Sequence, residues 1–92
     1  MPDAATLAQR LIRNLDDAEL EHRVRAPLYE SRTARLGTGT AARKLGATVV
    51  VLPPGKRAWP YHLHHAEEEM FVVLEGSGSG RVAGELLPLK KG

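Results

Sequence analysis

Residues 55–76 read GKRAWPYHLHHAEEEMFVVLEG, and this stretch decides the fold and the chemistry. In an extended strand side chains alternate between two faces, so His62 and His64 point the same way while Leu63 and His65 point the other. Two imidazoles so placed can converge on one ion. The chain then turns through residues 65–68 and returns as an apolar strand, which brings a carboxylate back toward the imidazole pair. Two neutral imidazoles and one carboxylate form a nitrogen and oxygen donor set suited to Zn, Fe, Mn, Ni or Cu. Periodicity leaves open which of Glu67, Glu68 and Glu69 faces the pair. If Glu69 points inward, so do Phe71 and Val73; if Glu68 does, so do Met70, Val72 and Leu74, and both sets are apolar. The bland alternative is a polar hairpin whose histidines do nothing, since isolated His-x-His pairs are common by chance.

Upstream, Leu45, Ala47, Thr48, Val49, Val50, Val51 and Leu52 form a run too apolar to keep one face in water, which predicts a buried strand. Pro53-Pro54-Gly55 ends it with two residues that lack an N–H and one that tolerates positive φ. Further strands are expected over 59–64, 70–74, 81–82 and 86–89, with a glycine-rich turn at 76–80 and a tight turn at Ala83-Gly84. Short strands at close spacing with glycine turns indicate an all-β sandwich or barrel. Residues 1–15 place Leu7, Leu11 and Leu15 at helical spacing, with Thr6 as the expected cap and Asn14 to Asp17 as the break. Residues 16–43 are polar and punctuated by Pro27, Gly37 and Gly39; they predict an irregular arm with one or two edge strands around Tyr29 to Leu36. The division is thus an N-terminal arm over 1–43 and a β core over 44–92.

The spacing of the quoted stretch resembles the first motif of the cupin superfamily, G-x(5)-H-x-H-x(3,4)-E-x(6)-G. Here His62-x-His64 is followed by four residues, Glu69, six residues and Gly76, and six residues rather than five separate Gly55 from His62. The resemblance covers residues 44–92 and hardly touches the first 40. It implies an all-β cupin jelly roll, a double-stranded β-helix barrel, with an irregular or partly helical N-terminal arm. It also implies that His62, His64 and Glu69 hold a divalent metal (Zn, Mn, Fe or Ni), with Glu68 as the alternative to Glu69, and that the protein is a homodimer. Cupins take a fourth ligand, a histidine, from a later Gly-Asp…Pro…His segment. This sequence ends at Lys90-Lys91-Gly92, where that segment would begin. The resemblance therefore implies a fragment, with a barrel incomplete at its C-terminus and one metal donor fewer.

Composition narrows the functional classes. Ninety-two residues bury roughly two-thirds of their unfolded surface, enough for one small domain. There is no cysteine, hence no disulfide framework and no thiolate metal site. No apolar run approaches the roughly 20 residues of a membrane span, and the N-terminus lacks the order of a signal peptide, so a cytoplasmic protein with no membrane partner is expected. The net charge is only +2 and the basic residues are scattered. One Trp, two Tyr and one Phe offer no stacking platform, so no nucleic-acid partner is expected. Lys56-Arg57 and Arg43-Lys44 are expected at strand ends, where charge discourages edge pairing or meets a phosphate or carboxylate. His22 and His65 are expected as surface histidines, Trp59 and Tyr61 as packing residues, and Met70, Val72 and Leu74 as an oligomer face.

Two functions of different classes follow. An open metal site can bind two substrate oxygens and polarise a carbonyl, which fits an isomerase, epimerase or dioxygenase acting on a small sugar-like or acidic substrate. Sugar-phosphate isomerases are among the cupins this sequence resembles. Glu69 would then be ligand and, when displaced, base. The other reading is a non-catalytic module that binds a small ligand or metal, with a remnant lacking activity as its limiting case.

Overall fold

The computed structural model describes residues 3–58 and 69–92. These fall into two compact units, Met1–Trp59 and Pro60–Gly92. Antiparallel strands dominate both, so the chain is all-β, with one eight-residue helix among the described residues.

In the first unit, helix α1 spans Ala4–Leu11. Its cap is Asp3, not Thr6: the Asp3 carboxylate accepts the Thr6 backbone N–H at 2.8 Å, so Thr6 is the third helical residue. The helix begins earlier than expected because Ala4 and Ala5 are strong helix formers and an aspartate precedes them. That hydrogen bond from the Thr6 backbone, and a smaller one from its side chain, hold the Asp3 carboxyl below its ordinary range. The helix ends at Leu11 with Ile12 in extended conformation, before the break expected at Asn14 to Asp17; the Asn14 side chain accepts the Asp16 N–H at 2.9 Å and caps a single 3-10 turn, Leu15–Asp17. Eight residues are too few for an independent helix, and α1 is tied down at its C-terminal end. Arg13 donates to the carbonyls of Gln9 (2.6 Å) and Thr38 (3.3 Å), and the Ala41 N–H donates to Arg10 at 3.0 Å.

Beyond the arm, β1 (Glu21–Arg25), β2 (Tyr29–Arg35) and β3 (Thr48–Val51) form one antiparallel sheet in the order β1-β2-β3. The expected edge strand around Tyr29 is in fact the central one. Neither β1 (EHRVR) nor β2 (YESRTAR) alternates apolar with polar residues, so periodicity gives no sign of them. Backbone pairing on both edges of β2 holds them instead, helped by cross-strand contacts such as His22 Nε2 to Glu30 Oε2 at 2.9 Å.

One face of this sheet, carrying Arg23, Ser31, Thr33 and Val50, lines an open cavity of about 930 Å³ bordered by residues of the arm. Ser31, 4% exposed, is the one buried side chain among the described residues. The expected burial of β3 is not met. The strand covers only 48–51 and lies at the edge of the sheet, with Val51 46% exposed and Leu45 83% exposed. Burial of both faces needs a layer on each side, and the opposite face leaves Val24 and Val51 in solvent.

In the second unit, β4 (Ser77–Val82) and β5 (Glu85–Lys90) form an antiparallel hairpin. Its turn falls at Ala83-Gly84 as expected, with φ of 50° and 80°. Positive φ at both central residues is the type I′ geometry whose twist matches a hairpin. Two expectations fail here. The glycine-rich stretch 76–80 is not a turn, because Gly78 and Gly80 sit opposite Leu89 and Leu87 in β4. A Cβ on Gly80 would lie 3.5 Å from Leu89 Cδ1, an ordinary van der Waals contact, and one on Gly78 would meet nothing within 4 Å. The segment 70–74 is not a strand among the described residues, although its composition favours one. Among the described residues, the Gly92 N–H donates to the Val73 carbonyl at 2.9 Å. Met70, Phe71, Val72 and Leu74 all remain exposed.

Candidate metal centre

The route into the His-bearing segment is fixed by the first unit. After Val51 the chain reverses through Pro53-Pro54-Gly55, with Gly55 at φ 77° and the Lys56 N–H donating to the Pro53 carbonyl at 3.2 Å. Arg57 then docks beside β2, taking the edge that β3 has vacated. Its N–H donates to the Leu28 carbonyl at 2.9 Å and its carbonyl accepts the Glu30 N–H at 3.2 Å, a parallel bridge to Tyr29. The Lys56 ammonium donates to the Pro27 carbonyl at 2.8 Å and fastens the same loop to the β1–β2 turn. The chain therefore leaves the sheet at residue 58 from a position pinned at three points.

His62 and His64 lie outside the described residues, as do His65, Glu67, Glu68, Trp59, Tyr61 and the strand expected over 59–64. Glu69 is the described member of the proposed ligand set, and it is exposed. Among the described residues no three His, Cys, Asp or Glu side chains cluster closely enough to hold a metal. His22 is a surface histidine as expected, 49% exposed, but it is engaged with Glu30. The sequence reading missed that pair, the Arg57 bridge and the polar cavity over Ser31. The turn residues Ala26-Pro27-Leu28 were the available signal for the β1–β2 hairpin.

Residues 48–92 match the sequence model of the cupin domain family. The chain belongs to the cupin superfamily. Its antiparallel all-β architecture is of the cupin type. No curated protein and no solved structure gives a significant match. The cupin match opens on Thr48, the first residue of β3, and takes in His62, His64, Glu69 and Gly76. The strands β1 and β2 precede the matched stretch, yet β2 carries β3 and the Arg57 bridge and so supports the cupin segment directly. No helix among the described residues is long and apolar enough to cross a membrane.

The donor set suits a divalent cation. Imidazole nitrogen and carboxylate oxygen together serve borderline metals, and the absence of cysteine leaves no softer competitor.

Proposed function

We propose that this cupin binds a divalent metal ion through the imidazoles of His62 and His64 and the carboxylate of Glu69, and acts on a small sugar-like or acidic molecule. The observation that carries the reading is the match over residues 48–92, which encloses the whole His-x-His-x4-Glu spacing. The bound ion would supply Lewis acidity toward a substrate carbonyl. The chain's own contribution is positional. The Pro-Pro-Gly turn and the Arg57 bridge fix where the His-bearing segment starts, and Glu69 offers a carboxylate that binds as ligand or, when released, takes up a substrate proton. An isomerase or epimerase needs such a base, and a dioxygenase needs a redox-active metal in the same donor set.

A homodimer belongs to this reading. Met70, Val72 and Leu74 are 89%, 62% and 52% exposed, and a contiguous apolar run is seldom left to water.

Elemental analysis of protein purified without added metal, set beside a His62→Ala/His64→Ala variant, tests the assignment. Near-stoichiometric metal in the native chain and its loss from the variant are expected. Equal metal content in both would remove the site. Iron would direct the search to oxygen chemistry, and zinc or manganese to isomerisation.

A further inference from the structure

Beyond the metal ligands, the sheet of the first unit gathers charge at one end. Arg25 of β1 is paired with Tyr29 of β2, and Tyr29 is bridged in turn to Arg57. Residues opposite one another across adjacent strands share a face, so the three side chains stand in a row with Tyr29 between two guanidiniums. Adjacent strands lie about 4.8 Å apart, which puts the two arginine positions roughly 10 Å apart. That span lets two long side chains close on a group held between them.

The row is held in place and its charge is not neutralised. The backbone of Arg57 is bonded on both sides of Tyr29, to the Leu28 carbonyl and the Glu30 N–H. Lys56 is half-buried, its ammonium on the Pro27 carbonyl, and adds a third cation to the same end of the sheet. Among the described residues neither Arg25 nor Arg57 has an ion pair. The nearby carboxylates are committed elsewhere: Glu21 holds Arg23 at 3.1 Å, and Glu30, on the opposite face, holds His22 at 2.9 Å. A guanidinium presents a planar fork of donors that fits two oxygens of a phosphate or carboxylate, and the phenol of Tyr29 adds a further donor.

We propose that Arg25, Tyr29 and Arg57, with Lys56 beside them, form an oxyanion site for the phosphate or carboxylate group of a small molecule. The site stands within the first unit and does not require the metal.

Because a metal would itself attract oxyanions, the test is run on the full chain in chelator-treated, metal-free buffer. Calorimetric titrations with inorganic phosphate and with succinate would distinguish the two oxyanion types. Saturable binding of at least one is expected, weakened at least tenfold by Arg25→Gln/Arg57→Gln. It should stay within twofold of native in Arg32→Gln, which removes a cation from the opposite face, and in His62→Ala/His64→Ala. Arg25→Gln alone, at an exposed position of an edge strand, covers the case in which the double variant does not fold, and should weaken binding about fivefold. Absence of saturable binding in both titrations, or equal weakening by Arg32→Gln, would overturn the site. Loss of metal content in the histidine variant with oxyanion binding intact separates this proposal from the metal reading.

Discussion

The two units of this chain meet the same problem, a short polar or glycine-rich strand with little to bury, in different ways. In the first, β2 is flanked on both edges, one face borders a cavity and Ser31 is shielded from water. In the second, β4 and β5 pair with each other and with no other strand among the described residues, and Leu86, Leu87 and Leu89 are 62%, 46% and 41% exposed. An isolated two-stranded hairpin is marginal in water, whereas a third strand and a covered face begin to make a sheet cooperative. Order in the second unit therefore rests on local turn geometry, and order in the first on strand pairing across distant parts of the chain.

Proline exposes that difference most sharply. Pro88 sits in β5 opposite Ser79, and among the described residues β5 has no second strand partner that would need the N–H a proline lacks. Thr33 is paired on both sides, with Glu21 and with Val50. Thr33→Pro should cost about 2–3 kcal/mol through a lost ladder bond and an unsatisfied carbonyl. The expected readout is loss of amide dispersion throughout β1, β2 and β3 with the hairpin signals retained. Loss of both sets together would mean that the units fold as one.

The converse perturbation is smaller. Gly84 sits at φ 80°, and Gly84→Val should cost about 1–2 kcal/mol by forcing a β-branched residue into the left-handed region. Cross-strand contacts between β4 and β5 should vanish while those between β2 and β3 persist. Ala83→Asn, at φ 50°, should recover a few tenths of a kcal/mol in the same assay, since asparagine tolerates that region better than alanine.

The smallest effect concerns α1. The Asp3 carboxyl is held below its ordinary range by the Thr6 backbone N–H, so its contribution is complete above the ordinary carboxylate range. That contribution is lost as the pH falls through the lowered value. Helical circular dichroism should decline slightly over that acid window in the native chain and be flat there in Asp3→Asn, which keeps a capping oxygen without the charge.

Legibility in the sequence followed the range of the interactions. The break at Pro53-Pro54-Gly55 and the turn at Ala83-Gly84 were readable because each is set by the φ preference or hydrogen-bonding capacity of the residue itself. The cap was misplaced by three residues because two candidate oxygens, Asp3 and Thr6, lie in one turn. The β1–β2 hairpin was hidden, since arginine, glutamate and serine alternate without an apolar face. Of the two apolar runs, 45–52 contains β3 over Thr48–Val51, whereas 70–74 is not a strand among the described residues; burial of such runs depends on neighbouring layers that no local window contains. At the proposed metal site, the pairing of His62 with His64 is an expectation from strand alternation alone. The preference for Glu69 over Glu68 came from the cupin spacing and from nothing more local.

That last choice is the most direct test of the account. Zinc titration of the metal-free chain should give one site, weakened at least tenfold by Glu69→Gln and left within twofold by Glu68→Gln. The reverse order, or equal weakening by the two substitutions, would contradict the assignment of Glu69 as the carboxylate ligand.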